Sequence, residues 1–127
     1  MRVVLATILG FIVGNAVNMG IIKLFVPVEA TPGVDPNEAM MKVFESFTTV
    51  DYLIPLAAHV LGIIAGLLVA RLICRTSNVP IYIIGGLHFL GTILVQFMIP
   101  APTWFHIVDL ALPIIIILYF LRTKRKK

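Results

Sequence analysis

The chain has a long apolar stretch between residue 3 and residue 26, with the sequence VVLATILGFIVGNAVNMGIIKLFV. Three further apolar stretches cover residues 52–73, 81–99 and 104–121. Each stretch has roughly the length that a helix needs to cross a bilayer, at about 1.5 Å of rise per residue. A segment in hydrocarbon must satisfy its own backbone hydrogen bonds, and an uninterrupted apolar run does so as a helix. The sequence therefore predicts an all-α fold, a transmembrane four-helix bundle.

The composition is that of a single transmembrane domain over residues 1–127. Hydrophobic residues make up 60% of the chain and charged residues 13%, whereas about a quarter of the residues are charged in globular proteins. The spans leave one longer loop, residues 27–51, and a basic tail, residues 122–127. A secretory signal peptide is the alternative for the first stretch. That stretch is long and lacks an Ala-x-Ala cleavage site, so we expect a retained helix.

The charged residues predict the orientation of the chain in the inner, or cytoplasmic, membrane. If the spans alternate in direction, Arg2, Arg71, Arg75 and the basic tail lie on one side, and the acidic residues of the loop lie on the other. By the positive-inside rule both termini are cytoplasmic and the loop is outside. The net charge of +4 then indicates contact with membrane lipids and not with nucleic acid.

The outer loop contains the signature of a short helix at residues 35–38, DPNE. Asp stands at the N-cap, Pro at the first helical position and Glu at the third. Apolar side chains follow with helical spacing at Met40, Val43, Phe44 and Phe47. Charged side chains share the other face at Glu38, Lys42 and Glu45. The pattern predicts an amphipathic helix in the membrane interface or over the bundle mouth, with Glu45 in solvent.

Small residues recur every four positions on the first two spans. They are Ala6, Gly10 and Gly14 on the first span, and Ala58, Gly62, Gly66 and Ala70 on the second. Such stripes let two helix backbones approach closely in a membrane, where no hydrophobic effect drives helices together. We expect the stripes to pack the first span against the second within one chain. A homodimer formed through the same stripes is the alternative.

A group of polar side chains falls inside the predicted spans, mostly toward the outer side. The group comprises Asn15, Asn18, His59, His88, Gln96, His106 and Asp109. Counted inward from the outer surface, Asn18, His59 and Asp109 share a depth of roughly 9 to 12 Å on three different helices. Gln96 is shallower, and Asn15 and His88 are deeper. This distribution predicts an outward-facing polar chamber for a ligand, a proton or a partner.

Asp109 is the most informative of these residues. An ionised carboxylate at that depth is costly unless it is neutralised, paired or hydrated. Pro113 lies four residues later and cannot donate a hydrogen bond to the carbonyl of Asp109, which leaves one more acceptor there. Donors are available from His59, Asn18, Gln96 and His106. The alternative to a chamber is that these polar groups only join helices, at about 0.6 kcal/mol per hydrogen bond.

The sequence carries no pattern that requires a metal, a cofactor or a catalytic motif. His106 and Asp109 have only a weak metal-ligand spacing, and His59 and His88 differ in depth by roughly 8 Å, which argues against a shared haem. Cys74 is the one cysteine. There is no nucleophile elbow or phosphate loop. A base formed by His59 and Asp109 is the remaining enzymatic interpretation.

Three segments carry recognisable motifs. They are residues 14–19 with the sequence GNAVNM, Pro55 with His59 and Gly62, and residues 100–105 with the sequence PAPTWF followed by Asp109 and Leu110. Together they resemble a family of small, uncharacterised four-span bacterial membrane proteins, over most of the chain. The resemblance implies the four-span fold and no particular activity. The basic residues 122–127 stand where that family has a glycine-rich end.

From these features we expect a non-enzymatic accessory or binding component of the inner membrane. Its expected partners are membrane lipids and a membrane protein or a second copy of the chain. A small transporter or proton-linked permease is the alternative, and it ranks second because the aliphatic inner half offers no path within one protomer. An enzyme acting on a lipid-soluble substrate is the third possibility.

Overall fold

The computed structural model describes residues 1–26 and 32–122. Over these residues the chain forms five helices: α1 (Arg2–Phe25), α2 (Pro36–Glu45), α3 (Leu53–Ile73), α4 (Val79–Met98) and α5 (Thr103–Arg122). Helices α1, α3, α4 and α5 are each long and apolar enough to cross a membrane. The prediction of an all-helical chain with four long apolar helices is confirmed. The start of the loop and most of the basic tail lie outside the described residues.

Helix α4 begins two residues before the apolar run that starts at residue 81. Val79 and Pro80 form its first turn, and the Val79 amide donates to the Ser77 hydroxyl over 3.2 Å. The first turn of a helix has no acceptors for its amide groups, so a proline there costs no hydrogen bond. The helix boundary follows this capping geometry and not the hydropathy of the segment.

Helices α1 and α3 are in direct backbone contact. A Cβ atom added to Gly66 would lie 2.8 Å from the carbonyl oxygen of Gly10, and one added to Gly62 would lie 2.9 Å from the carbonyl oxygen of Gly14. These distances are too short for any side chain. The two stripes of small residues therefore meet within one chain, and Ala6, Ala58 and Ala70 are fully buried beside them.

An aliphatic core fills the end of the molecule that holds the connection between α3 and α4. Its buried members are Ile63, Leu67, Ala70, Ile81, Ile84 and Phe120. Arg71 donates to the carbonyl of Phe120 and, over 3.0 Å, to the side-chain oxygen of Asn78. A cation at this position satisfies one of the carbonyls left free at the end of α5.

The opposite end, called here the α2 end, holds an aromatic core of Phe44, Tyr52 and Phe105. Phe44 is the buried residue of α2, which Asp35 caps by accepting from the amide of Asn37 over 2.7 Å, as the sequence predicts. Between α2 and α3, the hydroxyl and amide of Thr48 donate to Asp51. These hydrogen bonds lower the pKa of Asp51 below its usual value. The connection into α3 is thus held in one geometry.

The Tyr52 hydroxyl joins α2 to the turn between α4 and α5. It contacts the carbonyl oxygen of Phe44 at 3.1 Å and bonds to that of Pro100. We expect Tyr52→Phe to keep the packed ring and to lose this link, at about 0.5–1.5 kcal/mol of stability. Hydrogen exchange of the α2 amides measures the loss, and Tyr82→Phe on an exposed position is the control. Unchanged α2 exchange in the Tyr52 variant would contradict the prediction.

Candidate functional site

The site is built around Asp109 of α5, which is 0% exposed. Its Oδ1 atom lies 2.8 Å from Nδ1 of His59 on α3, and its Oδ2 atom accepts from Nε2 of Gln96 on α4 over 3.2 Å. Nδ1 of His106, one turn before Asp109, bonds to Oε1 of Gln96. These four side chains, called here the Asp109 cluster, join three of the long helices.

The hydrogen bonds of the cluster have a consistent direction. The side-chain amide nitrogen of Gln96 donates to Asp109, and its side-chain oxygen faces His106. His106 therefore donates to that oxygen from Nδ1. With both oxygens of Asp109 accepting, a neutral His59 ring carries its one proton on Nδ1. This arrangement leaves Nε2 of His59 as the nitrogen with a free lone pair.

Local structure explains why these residues meet. The turn from Pro100 to Pro102 is so short that α4 and α5 must run antiparallel. Gln96, near the end of α4, therefore faces the first turns of α5. His106 and Asp109 are three residues apart and share one face of α5. The carboxylate is thus enclosed by its own hairpin on one side and by α3 on the other.

Two cavities adjoin the Asp109 cluster and share Asn18, His59 and Val95 in their walls. The first, called the deep cavity, has a volume of about 230 Å³ and is also lined by Asn15, His88 and Thr92. The second, called the α2-side cavity, has a volume of about 330 Å³ and includes Asn37, Met40, Met41 and Phe44 of the α2 region. His59 therefore stands between the buried carboxylate and both cavities.

Of the four donors predicted for Asp109, His59 and Gln96 contact it and the other two do not. His106 reaches it only through Gln96. Asn18 makes no hydrogen bond to Asp109 in the described part of the chain. Its Cβ atom is instead held against the backbone of α3, 3.0 Å from where Gly62 would carry a Cβ atom. The close approach of α1 and α3 thus places Asn18 in the cavity walls.

The deeper polar residues surround the deep cavity. Asn15 donates to the carbonyl of Phe11 over 2.8 Å within α1. His88 packs its ring edge-on to Phe11, with the ring centroids 6.0 Å apart. Its Nε2 atom is buried and has no hydrogen-bond partner among residues 1–26 and 32–122. A polar atom in this position needs a partner such as water or a ligand in the cavity.

Histidine, cysteine and carboxylate side chains do not gather in groups of three or more that could hold a metal within the described ranges. A feature that the sequence reasoning missed is the convergence of methionines. Met19, Met40, Met41 and Met98 line the α2-side cavity. In the sequence each of these methionines lies toward the predicted outer side of the membrane, and this shared position is the signal that they could line one cavity.

Comparison with known proteins found no relative of this chain. The chain matches no protein-family model, no curated protein and no solved structure.

Proposed function

We propose that this protein is a non-enzymatic binding component of the inner membrane, a four-helix transmembrane bundle with both termini in the cytoplasm. In this proposal the α2-side cavity opens outward, and α2 lies in the membrane interface across its mouth. A small ligand binds in the cavity against the free nitrogen of His59. The apolar outer faces, with Leu24, Leu94 and Phe97 exposed, contact lipids or a membrane-protein partner.

The observation that carries this proposal is that His59, which bonds to the buried Asp109, lines the walls of both cavities. Burying a carboxylate in a membrane is expensive, and two donors oriented toward it offset that cost. If these hydrogen bonds served only to join the helices, no cavity beside them would be required, yet the α2-side cavity of about 330 Å³ adjoins His59. That volume falls in the range of small-molecule sites, and the lining is mostly apolar with a few converging polar groups, as such sites are.

A proton-linked permease is the second candidate, and the unpartnered Nε2 of His88 in the deep cavity favours it. His88 and His59 both line the deep cavity, where water would connect them, and His59 bonds to Asp109 behind the wall. The aliphatic core of Ile63, Leu67 and Ile84 separates this cavity from the other end of the molecule. A path for a substrate would have to open that core, which ranks this candidate second.

An enzyme acting on a lipid-soluble substrate is the third candidate. His59 oriented by Asp109 has the arrangement of a general base. The observation in its favour is the same hydrogen bond of 2.8 Å. Among the described lining residues the one side-chain hydroxyl is that of Thr92, which donates to the carbonyl of His88 over 3.1 Å, so this candidate rests on His59 as a base.

The outward opening of the chamber is tested by thiol labelling of intact cells. Cys74→Ser removes the native thiol, and Asn18→Cys then places one thiol in the cavity wall. We expect rapid modification by a small membrane-impermeant reagent added outside, because a thiol reacts as the hydrated thiolate. Ala16→Cys, on an exposed face of the same helix, is the control that lies in lipid and stays unmodified.

Two results would decide against the proposal. If Asn18→Cys and Ala16→Cys were equally unreactive, the cavity would not open to the outside. If Ile84→Cys in the aliphatic core were also modified, water would pass beyond the chamber, and the permease would replace the binding component as the best assignment.

A further inference from the structure

The α2-side cavity collects nearly all the methionines of the chain. Of the five methionines in 127 residues, four stand among the twelve lining residues: Met19, Met40, Met41 and Met98. They come from α1, α2 and α4, so no single amphipathic pattern accounts for their meeting. The lining thus places four methionine side chains around one space, together with His59.

Thioethers are soft and uncharged ligands. In proteins they favour Cu(I) over harder divalent metals, and imidazole is a compatible third or fourth ligand. Calcium and magnesium require carboxylate or carbonyl oxygens instead. The described lining contains no carboxylate, lysine or arginine, so it neither suits a hard dication nor repels a monovalent cation.

The orientation of His59 is a second and independent observation. Metal-binding histidines usually give their other ring N–H to a carboxylate, which sets the tautomer and strengthens the ligand. The hydrogen bond between Nδ1 of His59 and Asp109 has this form, and His59 lines the same cavity as the methionines. The buried carboxylate also compensates the charge of a bound cation through the imidazole.

We propose that the α2-side cavity binds a soft monovalent metal cation, Cu(I) or its analogue Ag(I), through methionine thioethers and Nε2 of His59. The inference rests on the proposed binding function and names its ligand class. Asp109 and Gln96 act as positioning residues that hold the His59 ring. Since thioethers do not titrate, the thioether part of the site stays available at any ordinary pH.

The test uses the full chain with Cys74→Ser in mild detergent, because the native thiol would itself bind silver. Silver nitrate is added in chloride-free buffer to protein labelled with ¹³C at the methionine methyl groups. We expect the methyl signals of Met19, Met40, Met41 and Met98 to shift and that of Met1, which is fully exposed, to stay in place. Calorimetry on the same samples gives the affinity.

Substitution then separates ligation from packing. Met40→Leu with Met41→Leu keeps the side-chain volume and removes two thioethers, so we expect silver to bind about ten-fold more weakly or worse. Ile22→Leu with Ile99→Leu changes the same cavity without touching sulfur and keeps the affinity. Equal affinities in the two pairs, a shift confined to Met1, or no silver binding would each overturn the proposal.

Different experiments test the metal site and the proposed function, so one proposal can be refuted without the other. Silver binding in detergent without outside labelling of Asn18→Cys would keep the site and refute the outward-facing chamber. Labelling of Asn18→Cys without any silver response would keep the chamber and refute the metal.

Discussion

Gly66→Leu is expected to destabilise this protein by about 1–3 kcal/mol or more, the cost of overpacking a close contact. The leucine Cβ alone would lie 2.8 Å from the carbonyl oxygen of Gly10 and 3.4 Å from Cα of Gly14. Backbone atoms cannot move aside as a flexible side chain would, so α1 and α3 must separate. Thermal unfolding in detergent, followed by size-exclusion chromatography, measures the loss.

Gly20→Leu on α1 and Gly86→Leu on α4 are the matched controls, because a Cβ atom at either position would meet nothing within 4 Å. We expect both controls to unfold near the wild-type temperature. A Gly66→Leu protein as stable as the controls would show that the two backbones do not touch within one chain. If that variant also lost a dimer seen for the wild type, the stripes would form the intermolecular seam.

Asp109→Leu is expected to cost about 1–3 kcal/mol for each partly buried donor that it leaves unsatisfied. His59 would lose the partner of Nδ1, and Gln96 would lose the acceptor of Nε2. Measured hydrogen bonds between membrane helices average about 0.6 kcal/mol, but that average covers groups that find other partners. In Asp109→Leu an apolar side chain fills the same buried position and offers neither donor an acceptor.

The triple variant Asp109→Leu, His59→Leu, Gln96→Leu shows whether that cost comes from the donors left without an acceptor. Replacing donors and acceptor together by apolar groups removes the unsatisfied atoms, so we expect most of the lost stability to return. Unfolding of the single and triple variants under the same conditions makes the comparison. A single variant as stable as the wild type would contradict the role given to the cluster. A triple variant that is stable yet unable to bind silver would assign the cluster to binding.

The helices were predictable because their causes are local. Hydropathy over about twenty residues identifies a helix that can cross a membrane, and Asp35 with Pro36 marks the start of α2 through its cap. The start of α4 differs by two residues from the apolar run, because Pro80 lies in the first turn of a helix whose apolar residues begin at position 81. The spacing of Gly10, Gly14, Gly62 and Gly66 likewise contained the geometry of the α1–α3 contact, since only glycine allows two backbones to come so close.

For the polar site the sequence predicts a shared layer and four candidate donors, and His59 and Gln96 are the two that bond to Asp109. Counting about 1.5 Å per residue predicts that Asp109, His59 and Asn18 lie in one layer. A hydrogen bond also requires the donor and acceptor atoms to be placed within a few tenths of an ångström, and that placement depends on the rotation of each helix about its axis. Helix packing sets that rotation: it turns His59 and Gln96 to Asp109 and holds Asn18 against Gly62.

The amino-acid order thus decides which segments are helices, where small residues permit contact and where along each helix a polar group lies, because these depend on neighbours along the chain. The tertiary structure alone decides which donor meets Asp109, that Nε2 of His88 is left without a partner in the described chain, and that four methionines share one cavity. Such meetings join residues far apart in sequence, and only the packing of whole helices sets the distances between them.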